Sequence, residues 1–141
     1  FIPLYILDIN LLEWFGLFFL MHYVAGFLLA MVFQTAHIVP DCKHLELPEK
    51  MDVNTWAINQ VLTTSNYAPN SRLFSWFIGG LNYQIEHHLF PGICHVHYSH
   101  ISKIVKRKTA EYGLPYNCQP TFSSAVIAHA KMLYSLGQSN Y

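Results

Sequence analysis

Histidine is concentrated in one short stretch of the chain. Five of the nine histidines lie between Gly79 and His100, in the segment GGLNYQIEHHLFPGICHVHYSH. An imidazole can bind a metal, transfer a proton or change its charge near neutral pH. Such a cluster therefore indicates a metal site, a proton relay or a pH switch.

The spacing of three side chains in this stretch favours metal. If residues 72–90 are helical, Gln84, His87 and His88 stand at positions i, i+3 and i+4 and share one face. Imidazoles without thiolates suit iron, zinc or copper better than a structural zinc site. Gln84 can add a carbonyl oxygen or orient a ligand. A polar face of this kind is costly in so apolar a protein unless it binds something.

The rest of the chain, which must position this polar face, has the composition of a membrane protein. Hydrophobic residues make up 52% of the chain and charged residues 11%, with a net charge of zero, so nothing in the charge favours nucleic acid. The segment Trp14–Phe33 has no charged residue and, as a helix, is about 30 Å long, which matches a bilayer core. Three widely spaced cysteines argue for a reducing, cytosol-facing environment.

The predicted fold is an all-α, membrane-embedded helical bundle fragment. The opening FIPLYIL reads as the end of an earlier transmembrane helix, with residues 8–10 as the turn into the next span. Residues 1–38 are then a transmembrane hairpin, and residues 39–141 form a region on the cytosolic side with cytosolic and interfacial helices.

Several elements are expected in this second region. Ser71 is expected to cap a helix that is kinked at Gly79–Gly80 and stopped by Pro91. The other expected elements are a weak helix over 51–62, a loop over 63–70, a helix over 99–112 that ends at Gly113, and a helix over 122–136 that is capped near Thr121 or Ser123 and ends at Gly137.

The helix over 99–112 has a basic face. It carries Lys103, Lys106, Arg107 and Lys108. This face is either simply solvated or in contact with anionic lipid headgroups or an acidic partner protein.

The segment NYQIEHHLFP resembles the third histidine box, QxxHH, of membrane fatty acid desaturases of the acyl-lipid or "front-end" branch. The similarity continues through CHVHY, the basic helix and EYGLPYN, and it covers most of the chain. This resemblance implies a non-haem di-iron centre, with O2 as co-substrate and electrons from a cytochrome b-type carrier or a ferredoxin. It also implies insertion of a double bond into a fatty acyl substrate, an oxidoreductase reaction in lipid biosynthesis, with His87, His88 and Gln84 at the metal.

The family's first two boxes, HxxxH and HxxHH, are absent from this sequence. The chain therefore resembles the C-terminal part of a single desaturase domain, and this part alone is not expected to be catalytic. The resemblance also implies that the chain is an integral membrane segment. In the family the histidine boxes face the cytosol, so the active site is expected on that side.

The remaining histidines carry different expectations. His37 follows the membrane span and is expected either to bind the metal or to contact one of its ligands. His22 lies about 22 Å away along a straight helix, so it is expected to be a hydrogen-bonded residue between packed helices. His95, His97 and His100 are assigned supporting, donor-docking or structural roles. His44 is assigned none, and His129 a structural one.

Two questions stay open at this level. The apolar residues Phe74, Trp76, Phe77 and Ile78 either line an acyl tunnel or face lipid and core. The function is that of a desaturase, a related di-iron hydroxylase, a sphingolipid desaturase or a non-catalytic membrane module that binds metal or haem. The double-bond position, the acyl carrier and the presence of an upstream haem domain are not determined by these residues.

Overall fold

The chain was analysed as a computed structural model, which describes residues 2–6, 9–43 and 53–138. Its elements are helices apart from two very short strands, so the predicted all-α class is confirmed. The contacts divide the chain into two units, residues 1–31 and 32–141. The division falls inside the longest helix, whose last residues belong to the second unit.

The first unit consists of α1 (Ile2–Ile6) and most of α2 (Leu11–His37). Asn10 and Glu13 cap α2 reciprocally, because each side chain accepts a hydrogen bond from the backbone N–H of the other, at 3.0 and 2.9 Å. The 27 residues of α2 extend about 40 Å, and the helix is long and apolar enough to cross a membrane. The predicted long apolar helix is therefore confirmed, and it is longer at both ends.

The sequence led us to expect His22 between packed helices, but the structure does not place it there. Its side chain is exposed, and Nδ1 donates a hydrogen bond to the carbonyl of Phe18 at 2.8 Å, one turn earlier in the same helix. The imidazole also lies against the Phe18 ring, with centroids 4.0 Å apart. Its polar group is thus satisfied locally.

The second unit is built from short helices around a small parallel strand pair. The elements are α3 (Val53–Thr63), β1 (Asn66–Tyr67), α4 (Arg72–Phe77), α5 (Gln84–Leu89), a 3-10 helix (His95–His97), α6 (Tyr98–Glu111), β2 (Cys118–Gln119) and α7 (Phe122–Gln138). Asn66 pairs with Cys118 and Tyr67 with Gln119. Residues 63–70 were predicted to be loop only, so β1 is a correction; its partner lies some fifty residues away and leaves no local pattern.

Two hydrophobic clusters hold this unit together. The first joins the end of α2 to α7 through Ala36, Tyr67 and Ala125, and Phe74 and Ile78 pack against it. Phe74 and Ile78 are half-buried and contact this cluster. The second cluster consists of Val61 from α3, Ile85 from α5 and Val105 from α6.

Residues 72–90 do not form the single kinked helix that the sequence predicts. The helix stops at Phe77 and a new one starts at Gln84. Gly79 and Gly80 both have positive φ, +62° and +73°, and two such residues in succession end a right-handed helix. Ser71 does stand at the N-cap of α4, but its side chain makes no capping hydrogen bond.

We expect Gly80→Ala to destabilise the second unit more than Gly79→Ala. Either change strains a backbone at positive φ, which costs about 1–2 kcal/mol. At Gly80 the new Cβ would also lie 2.7 Å from Cβ of His95, whereas at Gly79 nothing lies within 4 Å. Thermal unfolding of the purified protein checks this, and equal shifts for the two variants would contradict it.

The later helices match their predicted starts better than their ends. Gly113, at φ +66°, follows α6 as expected. Thr121 caps α7, because its Oγ1 accepts the N–H of Ser124 at 3.0 Å. Gly137 does not end α7, which continues to Gln138.

Candidate metal centre

His88 lies at the centre of the histidine cluster. Its ring centroid is 5.0 Å from that of His37, at the end of α2, and its Nδ1 is 2.7 Å from Oε1 of Gln60, in α3. A carbonyl oxygen can only accept, so Nδ1 carries the hydrogen, and Nε2 of the neutral ring keeps its lone pair. Two imidazoles that share one metal at about 2.1 Å per nitrogen have ring centres about 5 Å apart.

Burial keeps His88 in the form that binds metals. Desolvation, with the neighbouring His37 and His87, lowers the pKa of His88 to about 4. The imidazole is therefore neutral at pH 7, as a metal ligand must be.

Gln84 lies beside His37, with which its side chain interacts. It is almost completely buried, and its Nε2 has no hydrogen-bond partner within the part of the chain that the structure describes. The amide oxygen and nitrogen exchange places when the group is turned over. The unpaired position can then present an oxygen to a metal or to its bound water, so the residue fits the predicted role.

His87 points to a different neighbour. Its ring centroid is 5.9 Å from that of His88, and its Nδ1 is hydrogen-bonded at 3.3 Å to the hydroxyl of Tyr98, at the start of α6. In residues 2–6, 9–43 and 53–138, no three His, Cys, Asp or Glu side chains are grouped so that they alone could hold a metal ion. A metal ion at this cluster would therefore need further ligands.

A buried polar network fixes the helix that carries these residues. Nδ2 of Asn66 donates to Oε2 of Glu86 at 2.7 Å, and the Tyr116 hydroxyl donates to Oε1 at 2.9 Å. Oδ1 of Asn66 accepts the backbone N–H of Ile85 at 2.9 Å. Because Glu86 is fully buried, desolvation raises its pKa despite these hydrogen bonds, and the pKa of Tyr116 is raised as well, so its hydroxyl stays protonated.

Gln60, Asn66, Glu86 and Tyr116 were missed by sequence reasoning. Glu86 stands inside QIEHH, and a carboxyl in so apolar a helix was a usable signal. The other three lie 20 to 30 residues from their partners, and no spacing rule connects them.

The remaining histidines lie outside the cluster or cannot be placed. His129 is buried, and its Nδ1 donates to the carbonyl of Ile38 at 2.9 Å, which supports the structural role. His95 and His100 line a separate cavity, and His97 is exposed. His44 lies outside the described residues.

Comparison with known proteins identifies the family. The family model for fatty acid desaturase matches residues 2–120. The chain belongs to the fatty acid desaturase family. Members of this family are membrane-associated oxidoreductases that use a non-haem di-iron centre and O2, and they act on acyl chains with electrons from a donor.

Curated desaturases match most of the chain. An acyl-lipid (8-3)-desaturase of Physcomitrium patens is 44% identical over 84% of the chain and 25% of its own length. A sn-1 linoleoyl-lipid 6-desaturase of Synechocystis is 36% identical over 82% of the chain and 33% of its own length. The chain thus spans about a quarter to a third of these desaturases. No solved structure matches it.

The hydrogen bond between Gln60 and His88 leads to a test of the candidate metal site. Replacing Gln60 with Leu removes the acceptor that orients the imidazole, and we expect iron affinity to fall about 10- to 100-fold. Gln60→Glu keeps an acceptor oxygen and should therefore retain most of the iron affinity. Iron titration of the full-length protein measures both, and unchanged affinity in Gln60→Leu would contradict the assignment.

Proposed function

We propose that this chain is part of an acyl-lipid desaturase and supplies one group of its iron ligands. The juxtaposition of His37 and His88, 5.0 Å apart and beside Gln84, carries the proposal. These residues come from two helices that lie about fifty residues apart in the sequence. The names of the similar proteins, which act on acyl lipids, support the substrate class.

In this proposal some residues would bind iron and others would hold those ligands in place. His37, His87 and His88 would hold iron, and Gln84 would bind it or a bound water. A bound iron centre would supply, with O2, two electrons and two protons, the oxidising power that removes two hydrogens from adjacent methylenes and releases two water molecules. Gln60 holds the His88 ring, and the network around Glu86 holds α5. Residues 1–38 would form the transmembrane hairpin, and residues 39–141 the region with the third histidine box.

The environment of the site is part of the same proposal. The site faces the cytosol, where a cytochrome b-type carrier or a ferredoxin can deliver electrons. Cys42, Cys94 and Cys118 are free thiols, and burial raises the pKa of Cys42 to about 12, which keeps it protonated. Free thiols are consistent with a reducing compartment.

Product analysis tests this function. The full-length protein that contains this sequence would be expressed in a host without polyunsaturated fatty acids and supplied with linoleate. Gas chromatography of the acyl chains should show a new double bond. A hydroxylated acyl chain would instead show that the centre is a hydroxylase. The absence of any new product from iron-loaded protein would refute the proposal.

A further inference from the structure

A cavity of about 810 Å³ lies in the second unit, apart from the histidine cluster. Its wall is formed by residues from α4, the 3-10 helix, α6 and β2. Its volume lies in the range of about 300–1,000 Å³ that is typical of small-molecule sites. None of the four proposed ligands lines it; these are His37, Gln84, His87 and His88.

The cavity is strongly basic. Arg72, Lys103 and Lys106 line it, together with His95 and His100. None of the sixteen lining residues is Asp or Glu. The chain has only eight Lys and Arg residues, so three of them in one cavity of a protein with zero net charge is a marked local excess. An anion is the ligand that such a lining favours.

Two lysines of α6 face the cavity without a carboxylate partner. In the part of the chain that the structure describes, the ion pairs of this helix join Arg107 and Lys108 to Glu111, at 3.9 and 2.7 Å. Lys103 and Lys106 take no part in them. Ser99 and Ser102 line the cavity from the same helix face and add hydroxyl donors. The basic face of α6 thus has two parts. Arg107 and Lys108 pair with Glu111 on the surface, whereas Lys103 and Lys106 face the cavity.

The rim of the cavity is apolar and exposed. Trp76 and Val96 line the cavity and are 75% and 61% exposed. Leu73 and Phe77, which stand beside Trp76 on α4, are 77% and 79% exposed. Large apolar side chains next to basic ones are typical of surfaces at the headgroup level of a membrane. An amphiphile with an anionic head group would match both the basic lining and the apolar rim of the cavity.

One wall is fixed by a close backbone contact. Gly80 lies against His95 so closely that a Cβ there would be 2.7 Å from the Cβ of His95. Tyr83 and Tyr116 also line the cavity, and Tyr116 belongs to the buried network around Glu86. The basic side chains therefore surround a wall that is held by the core.

We propose that this cavity binds the phosphate group of a phospholipid headgroup. Arg72, Lys103 and Lys106 would contact the phosphate oxygens, and the apolar rim would contact the start of the acyl chains. Inorganic phosphate and soluble phosphate esters are also anionic, but they have nothing to place against Trp76 and Val96. The proposal does not depend on iron binding or on the reaction.

Binding of short-chain lipids tests the proposal. The full-length protein in a neutral detergent would be titrated with dihexanoyl phosphatidylglycerol, with a short-chain galactolipid and with inorganic phosphate. The phospholipid should bind more tightly than either of the others. Lys103→Gln/Lys106→Gln should weaken its binding about 20-fold, or about fivefold for each lysine. Raising the salt concentration should weaken it as well.

The chain offers a matched control on the same helix. Arg107→Gln/Lys108→Gln removes the same charge outside the cavity and should leave phospholipid affinity within about twofold, since exposed ion pairs contribute little. Lys103→Arg/Lys106→Arg should retain binding. Equal losses in the two Gln variants, or tighter binding of inorganic phosphate than of the lipid, would overturn the proposal. So would loss of binding to an acidic electron carrier in Lys103→Gln/Lys106→Gln with lipid binding unchanged.

Discussion

Replacing His88 with alanine should abolish product formation by the full-length protein, a loss of more than about 100-fold, together with most of its iron. The neutral imidazole of His88 stands 5.0 Å from that of His37, and its pKa of about 4 prevents protonation from competing with the metal. Gas chromatography of acyl chains and iron analysis of the purified protein measure the two effects.

His97→Ala is the matched control for this variant. His97 is exposed in the short 3-10 helix and does not line the cavity, so its removal should leave product and iron within about twofold. Both variants must elute as monodisperse protein for the comparison to count. If His88→Ala kept half of the iron and half of the product, His88 would not be a ligand.

Replacing Asn66 with alanine should cost about 3–5 kcal/mol of unfolding free energy. The change leaves the N–H of Ile85 and an oxygen of Glu86 without partners inside the fold, at about 1–3 kcal/mol for each group. It also removes a 2.7 Å hydrogen bond between Asn66 and the Tyr116 hydroxyl. The total free energy of unfolding of a typical domain is only about 5–15 kcal/mol, so this loss is large. Urea unfolding of the protein in detergent measures it.

Two further variants keep this prediction testable if Asn66→Ala does not fold. Tyr116→Phe removes one hydroxyl from the same network and should cost about 1–3 kcal/mol. Tyr112→Phe makes the same chemical change at a residue that is 78% exposed and should cost less than about 0.5 kcal/mol. Similar unfolding midpoints for Tyr116→Phe and Tyr112→Phe would show that the network contributes little.

The sequence predicts features that depend on local periodicity. The apolar run around Trp14–Phe33 requires a long helix, and the spacing of Gln84, His87 and His88 places them together even on a helix of six residues. The position of His37 just after the predicted span led us to expect it near the metal centre; its ring lies 5.0 Å from that of His88, and metal binding stays a prediction. Each of these inferences needs only neighbours within a few turns.

Features that depend on distant residues were not predictable in this way. The strand β1 forms because residues near 118 lie beside it, and Gln60 meets His88 only after α3 packs on α5. The break at Gly79–Gly80 was expected as a kink, because glycine permits a positive φ without requiring it. Tertiary contact with His95 decides the outcome there.

The last turns of α2 have a consequence for protein engineering. The Tyr67 hydroxyl donates to the carbonyl of Val32 at 2.9 Å, and Thr35 and Ala36 are completely buried. Residues 32–37 are thus folded as part of the second unit, although they continue the membrane helix. In a chimera that exchanges the membrane helix for that of another desaturase, the junction belongs before Val32, so that His37 keeps its native surroundings. A junction at the apparent end of the helix would instead cut through the packed core.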